Sequence, residues 1–299
     1  MSSDFRTGYV AVIGRPNVGK STLINQITQQ NLSIVSHKPQ TTRHQILAIH
    51  TTETGQMIFI DTPGIHNNNK NALNRKLNQT AMASAHDVDC ILFIVDSLKW
   101  TDEDMKVCQL VRKTKAPVIL VVNKIDKIIH KERLLPHLER IKEHVDYHAV
   151  HYISALKNKY VDELMDEIYP LLPVSEAHFD SEQVSTKPTA FFVSEMIREQ
   201  VMHRYHEEIP YSVTVEIESF KYEGELCHIH AIIWVERQNQ KQIIIGKQGQ
   251  AIKKVGMQAR QQIEEFIDSR VNLKLWVKVK SSWTDDQKAL DSLGYSDEY

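Results

Sequence analysis

The sequence predicts an α/β domain with a mostly parallel sheet, followed by a smaller α+β domain. Three observations carry this expectation. Residues 1–172 alternate short apolar runs with stretches of helical period, the rhythm of strands and crossover helices. Around residues 173–188 no period is sustained, and Pro173, Ser175, Ser185, Thr186 and Pro188 read as a linker. From 189 to 299 the order changes to helix, two strands, a helix–turn–helix and a strand. A length of 299 residues suits two domains of ordinary size.

The first domain's strands are expected at Tyr9–Ile13, Met57–Ile60, Cys90–Val95, Val118–Val122 and Val150–Ile153. Each is short and apolar enough to be buried on both faces. Thr101–Thr114 and Lys131–Val145 place apolar residues three and four apart, as helices do. In the second domain, a helix over Ala190–His206 sets Phe192, Met196, Ile197, Val201 and Met202 on a packing face. Strands are expected at Tyr211–Phe220, Leu226–Arg237 and Val271–Val279, with the helix–turn–helix over Gln240–Asp268. Trp276 alternates within the last strand and reads as core. Trp283, just beyond it, reads as packing on the domain in preference to stacking on a base.

Composition excludes several classes. With 41% hydrophobic and 25% charged residues, the chain is too apolar for general disorder. No apolar run approaches the ~20 residues that span a bilayer. The opening Met1–Arg6 lacks a charged-then-apolar signal pattern, so a cytoplasmic protein is expected. Cys90, Cys108 and Cys227 form no CxxC and read as buried thiols in a reducing compartment. A formal net charge of −2 argues against a wide basic footprint on nucleic acid. That average conceals a local excess: Arg237–Lys280 holds ten Lys and Arg against three Asp and Glu.

Directly after the first strand stands Gly14-Arg15-Pro16-Asn17-Val18-Gly19-Lys20-Ser21-Thr22, which matches the P-loop pattern between a strand and a helix. Glycines let consecutive N–H groups and the helix N-terminus face a phosphate. Lys20 would bridge the β- and γ-phosphates, and the Ser21 hydroxyl would ligate Mg²⁺. Asp61-Thr62-Pro63-Gly64 closes a later strand; Asp61 can hold Mg²⁺ through water, and the Gly64 N–H can reach a γ-phosphate. The same four residues also suit an ordinary turn. Asn123-Lys124-Ile125-Asp126 closes another, with a carboxylate able to accept both the N1–H and the 2-amino protons of guanine. Adenine lacks that donor pair. Ser154-Ala155 closes the last, where a backbone N–H can meet guanine O6. The order of four such elements in one βα series is what gives them weight.

In the second domain, Gly246-Lys247-Gln248-Gly249 follows an apolar turn and precedes a basic amphipathic stretch with Lys253 and Lys254. Two glycines around a lysine let backbone approach a phosphate, and the α-β-β-α-α-β order is that of a K-homology (KH) domain. Such domains hold about four single-stranded nucleotides. His228 and His230 share one strand face, but without a third ligand at a recognisable spacing they read as surface residues.

The chain resembles the Era family within the translation-factor-related GTPases. Besides the motifs above, Gln40-Thr41-Thr42-Arg43-His44, Pro210–Glu216, Leu275–Ser281 and Leu293-Gly294-Tyr295 carry the likeness, which runs from about Arg6 to Tyr295. The resemblance implies a P-loop GTPase domain (1–172), a linker (173–188) and a type II KH domain with a C-terminal tail (189–299). It implies a slow GTPase that binds 16S ribosomal RNA near its 3′ end and assists 30S subunit assembly, its RNA affinity switched by the nucleotide. It also implies peripheral association with the inner face of the cytoplasmic membrane, and a monomer is expected. Thr42 would offer its hydroxyl to Mg²⁺ when GTP is bound, with Thr41 the alternative. Ile65 stands where related switches carry a water-orienting Gln, so slow intrinsic hydrolysis is expected. Asn17 either helps bind K⁺ beside the phosphates, as in related GTPases, or is a P-loop turn residue. Two rival readings are a P-loop kinase with a small acceptor and an RNA-binding adaptor that never hydrolyses its nucleotide.

Overall fold

The computed structural model describes residues 4–36, 38, 41–64, 71–85, 87–128, 134–205 and 209–295. Two compact units emerge, the first drawn from residues up to Thr186 and the second chiefly from Lys187 onward.

The first unit alternates β1 (Arg6–Ile13), α1 (Lys20–Thr28), β2 (Ile46–Thr51), β3 (Gly55–Asp61), α2 (Ala72–Ala83), β4 (Cys90–Asp96), α3 (Asp102–Val111), β5 (Val118–Asn123), α4 (Leu134–Lys142), β6 (Ala149–Ile153) and α5 (Val161–Ile168). The sheet order is β2-β3-β1-β4-β5-β6, with β2 antiparallel to β3 and the other pairs parallel. Strands β3, β4 and β5 are buried at every residue, as their unbroken apolar runs require. Two expectations change. Strand β6 is only half-buried before Ile153, because it is the sheet's edge and pairs with β5 alone. Strand β2 has no counterpart among the apolar runs, since His50 and Thr51 interrupt its pattern and antiparallel pairing to β3 secures it. The helix expected over Lys131–Val145 is described for Leu134–Lys142, and part of its start lies outside the described residues.

The stretch after α5 lies along the same sheet. Thr7 donates its N–H to Pro173, Ile49 to Val184, and the Gln56 amide nitrogen to Phe179, while Ser185 bridges to Ala48. Segment 173–186 therefore places several of its backbone groups against β1, β2 and β3. All three cysteines are free and buried, and burial pushes the Cys90 thiol up to about 12.

The second unit follows the order α6 (Thr189–Arg204), β7 (Thr214–Glu223), β8 (Leu226–Val235), α7 (Gln238–Ile245), α8 (Gln250–Ile267), β9 (Arg270–Val279) and α9 (Gln287–Ser292). Its sheet runs β7-β8-β9, the first pair antiparallel and the second parallel. Helix α6 buries the five apolar residues expected of it, beside an internal ion pair in which Arg198 grips both carboxylate oxygens of Glu195 at 2.8 and 2.6 Å. Trp283 is fully buried; its ring stacks on Tyr295 and its indole N–H donates to Ser212. Packing is its role.

Trp276 is the correction. It is 41% exposed, not core. Its partners in register include Ile232, and the inward set of β9 is Val271, Leu273, Leu275, Val277 and Val279, which pack on the core. Period-2 alternation identifies two faces but does not say which one the helices cover.

Candidate functional site

The buried strand β1 delivers the P-loop to the sheet's carboxyl edge, where ligands bind in folds of this kind. Lys20 opens α1 and is buried. Its ammonium donates to the carbonyls of Gly14 and Arg15, both at 3.0 Å, within the loop it would share with a phosphate. Burial draws its pKa down to about 8, against the pull of Asp61. Asn17 adopts a left-handed φ of 64°. Gly64 lies so close that a Cβ there would meet the Pro16 nitrogen at 2.7 Å, so only glycine lets the Asp61–Gly64 turn lean on the P-loop. Arg15 points away, its Nε bonded to Asp104 at 2.9 Å. Asp104 also accepts from the Thr101 N–H and hydroxyl at the start of α3.

Three hydroxyls and a carboxylate meet at the end of β3. Ser21 Oγ is 2.9 Å from Thr42 Oγ1 and donates to Asp61 Oδ2 at 3.1 Å. Ser33 donates to the same oxygen at 2.6 Å. Asp61 Oδ1 is buried without a partner among the described residues. Burial raises the pKa of this carboxyl, opposed by the Ser33 hydroxyl and the Lys20 charge. An orphaned carboxylate oxygen beside two hydroxyl ligands fits a hydrated divalent cation, which would supply the missing charge. Thr62 sends its hydroxyl instead to the Val12 carbonyl at 3.0 Å. Ile65 lies outside the described residues, as does Gln40.

The candidate base-binding residues at the end of β5 are held by protein hydrogen bonds. Asn123 donates to the Val18 carbonyl at 2.8 Å, and its Oδ1 accepts from the Lys124 and Ala155 N–H groups. Ser154 Oγ lies 2.5 Å from Asp126 Oδ1, orienting an exposed carboxylate whose other oxygen is left for a ligand. Lys124 has a left-handed φ of 69° and reaches the Asn17 carbonyl and Asp96. Ile125 is half-buried beneath this turn. Burial works against ionisation of Asp96, yet Lys124 and the Leu98 N–H hold its pKa below the usual range.

Four supports escaped the sequence reading: Ser33, Asp96, Asp104 and Asn25. Asn25 clamps Ser33 through both its N–H and its carbonyl, at 2.9 and 2.8 Å. None lies in a contiguous motif. Asp96 and Asp104 had one legible cue, an acid at a strand end and an acid in a helix's first turn.

In the second unit, α7 ends at Gly246, whose N–H donates to Gln242 at 2.8 Å. Gly246 has φ 71°, and a Cβ on it would stand 2.5 Å from that of Ala251; Gln248 is also left-handed, at 51°. Lys247, Gln248, Lys253 and Lys254 are exposed, and Gly249 caps the start of α8. Beside this turn a groove of about 320 Å³ lies between α8 and β9, walled by Ile252, Lys253, Gly256, Met257, Arg260, Leu273 and Leu275. Lys253 joins the wall and Lys254 does not. Met257, Arg260 and the two leucines were not foreseen there, since their meeting depends on how α8 lies over β9. Gly256 permits close approach, with Leu275 at 3.4 Å from where its Cβ would be. An apolar floor with basic rims suits a single nucleic-acid strand. Among the described residues, no group of three or more His, Cys, Asp or Glu is placed to hold a metal, and His228 turns to Asn272 and Glu223.

Known proteins match both units. A family model described as "50S ribosome-binding GTPase" matches residues 9–124, and one described as "KH domain" matches residues 208–284. The chain is 48% identical over 296 residues to GTPase Era of Pseudomonas fluorescens, covering 99% of each chain. It is 48% identical over 295 residues to GTPase Era of Azotobacter vinelandii, covering 99% of this chain and 98% of that one. Among solved structures it is similar to Era in complex with MgGDPNP and nucleotides 1506–1542 of 16S ribosomal RNA, with a TM-score of 0.94 and 37% identity over 98% of this chain and 99% of that one. It is likewise similar to a single-residue variant of Aquifex aeolicus Era bound to GDP·AlF4⁻, with a TM-score of 0.93 and 37% identity over 97% of this chain and 99% of that one.

Proposed function

The chain belongs to the Era family of GTPases, and from that premise we propose that it is a GTP-driven switch acting on the 3′ end of 16S ribosomal RNA during 30S subunit assembly. The observation that carries the reading is the cluster of Ser21, Thr42 and Asp61 hydroxyl and carboxylate oxygens, which joins the P-loop helix, the first switch and the end of β3 at one point. Ser21 and Thr42 would bind Mg²⁺ directly and Asp61 through water; the ion would neutralise charge on the β- and γ-phosphates. Lys20 exchanges its bonds to Gly14 and Arg15 for phosphate oxygens. The Gly64 N–H, held against Pro16, faces the γ-phosphate. Asn123, Lys124, Asp126, Ser154 and Ala155 select guanine. Hydrolysis removes the γ-phosphate on which Thr42 and Gly64 converge, so both segments are released.

RNA would lie in the α8–β9 groove, with Gly246–Gly249 against its backbone and Lys247, Lys253 and Lys254 beside phosphates. Nucleotide and RNA are then thermodynamically linked. Affinity for nucleotides 1506–1542 should differ between the GTP-analogue and GDP states, and RNA should shift nucleotide affinity by the same factor. Equal RNA affinity in both states would refute the switch.

Asn17 would help hold a K⁺ ion, which would supply positive charge where Ile65 offers no amide to position water. Turnover in KCl should exceed turnover in matched NaCl; equal rates would remove the ion from the mechanism. No described helix is long and apolar enough to cross a membrane. A monomeric cytoplasmic protein with peripheral contact to the inner membrane rests on family resemblance.

A further inference from the structure

Strand β9 has two faces, and the groove uses one. Leu273 and Leu275 wall the cavity beside α8. The alternate residues Asn272, Lys274, Trp276 and Lys278 share the opposite face with His228, His230, Ile232 and Trp234 of β8, as the register requires. On that face Trp276 is 41% exposed, whereas tryptophan is mostly buried in folded proteins. Its ring is held in place by His230, in a T-shaped contact with centroids 5.3 Å apart. Lys274 and Lys278 are exposed on either side of it.

Charge on this face is sorted by strand. β9 contributes Arg270, Lys274 and Lys278, followed by Lys280, with no acidic residue in the strand. β7, across the sheet, contributes Glu216, Glu218 and Glu223 beside a single basic residue, Lys221. Glu218 takes up Lys278 at 3.2 Å, and Glu216 accepts from the Trp234 indole at 2.7 Å. The basic side is a sheet edge, because β9 pairs with β8 alone, as β7 does on the acidic side. A strand leaving the groove can therefore turn round β9 without crossing a neighbour.

We propose that RNA seated in the α8–β9 groove continues over the edge of β9 and stacks a base on Trp276, with phosphates beside Lys274 and Lys278. Successive side chains of one strand face stand about 7 Å apart, a spacing that an extended single strand can follow. An aromatic ring between lysines is the combination that binds single strands with little sequence preference. Polyanion is favoured over a protein partner by the acid-free run of basic residues and by continuity with the groove. The inference rests on the groove being the RNA site, and its test separates the two.

The full-length protein would be titrated with nested single-stranded RNAs cut from nucleotides 1506–1542 and lengthened two nucleotides at a time. Wild type and Trp276→Ala should bind the shortest RNAs alike and diverge beyond the length the groove holds, with the variant weaker by roughly tenfold. Trp276→Phe, which keeps an aromatic face, should recover most of that loss. Basal GTP hydrolysis should not change, and wild-type binding of the shortest RNAs reports that the second unit of the variant is folded. Coincident curves at every length would overturn the proposal and leave the groove standing. Wild-type RNA affinity in Gly246→Asp would overturn the groove, and this extension with it.

Discussion

The proposed guanine-nucleotide site and the proposed RNA groove solve opposite problems. At the first, nearly every polar group is already held by protein: Asn123 by Val18 and Ala155, Asp126 by Ser154, Lys20 by Gly14 and Arg15, Asp61 by Ser21 and Ser33. At the second, Lys247, Lys253 and Arg260 stand in solvent around an apolar floor. A small ligand with a fixed donor pattern is selected by groups that need not reorganise. A polymer strand is captured by shape and charge, through contacts that are each weak and replaceable. Substitutions should therefore be sharp in the first region and graded in the second.

The largest expected effect tests that sharpness. Asp126→Asn should lower GTP affinity by roughly a hundredfold or more, because guanine donors would face an amide in place of a carboxylate. Xanthosine triphosphate should gain affinity, its C2 carbonyl suiting the amide. Competition titration with the two nucleotides measures the exchange, and an undiminished preference for GTP would sink the assignment.

Gly246→Asp probes the graded region at its least replaceable point, where a left-handed backbone and close contact with Ala251 exclude a side chain. RNA affinity should fall about tenfold or more, since an acid is also brought to a phosphate. GTP affinity of the full chain without RNA should stay at the wild-type value. Binding titrations of each ligand read both.

The smallest of the three effects sharpens the contrast from inside the nucleotide site. Ser33 touches no substrate; it positions Asp61 and is itself fixed by Asn25. Ser33→Ala should raise the Mg²⁺ concentration needed to retain GDP by roughly tenfold, the usual scale for a support behind metal ligands. Release of a fluorescent GDP analogue across a Mg²⁺ series checks this. Recovery with Ser33→Thr would tie the effect to the hydroxyl, and an unchanged Mg²⁺ requirement would dismiss the role.

Legibility followed the same division. The P-loop, Asn123–Asp126 and Gly246–Gly249 could be read directly, since each places consecutive backbone groups around a ligand and so must be contiguous in sequence. Ser33, Asp96 and Asp104 act across 28 residues or more, and such pairings leave no spacing to recognise. The groove wall was half-legible: Lys253 from its basic helix, but Leu273 and Leu275 only once β9 lay against α8. The net charge of −2 misled because it averaged the basic stretch Arg237–Lys280 with acidic residues elsewhere in the chain.

By itself the sequence determined the α/β and α+β order, the guanine-nucleotide motifs and the KH turn. Period, glycine placement and backbone-cradle chemistry are local properties, so local residues suffice to specify them. Tertiary structure decided which oxygen of Asp61 is engaged, that segment 173–186 lies along a sheet, and which face of β9 is covered. Trp276 holds both halves of that lesson. Alternation put it opposite Leu275, and only the packing of α8 on the other side left it facing water.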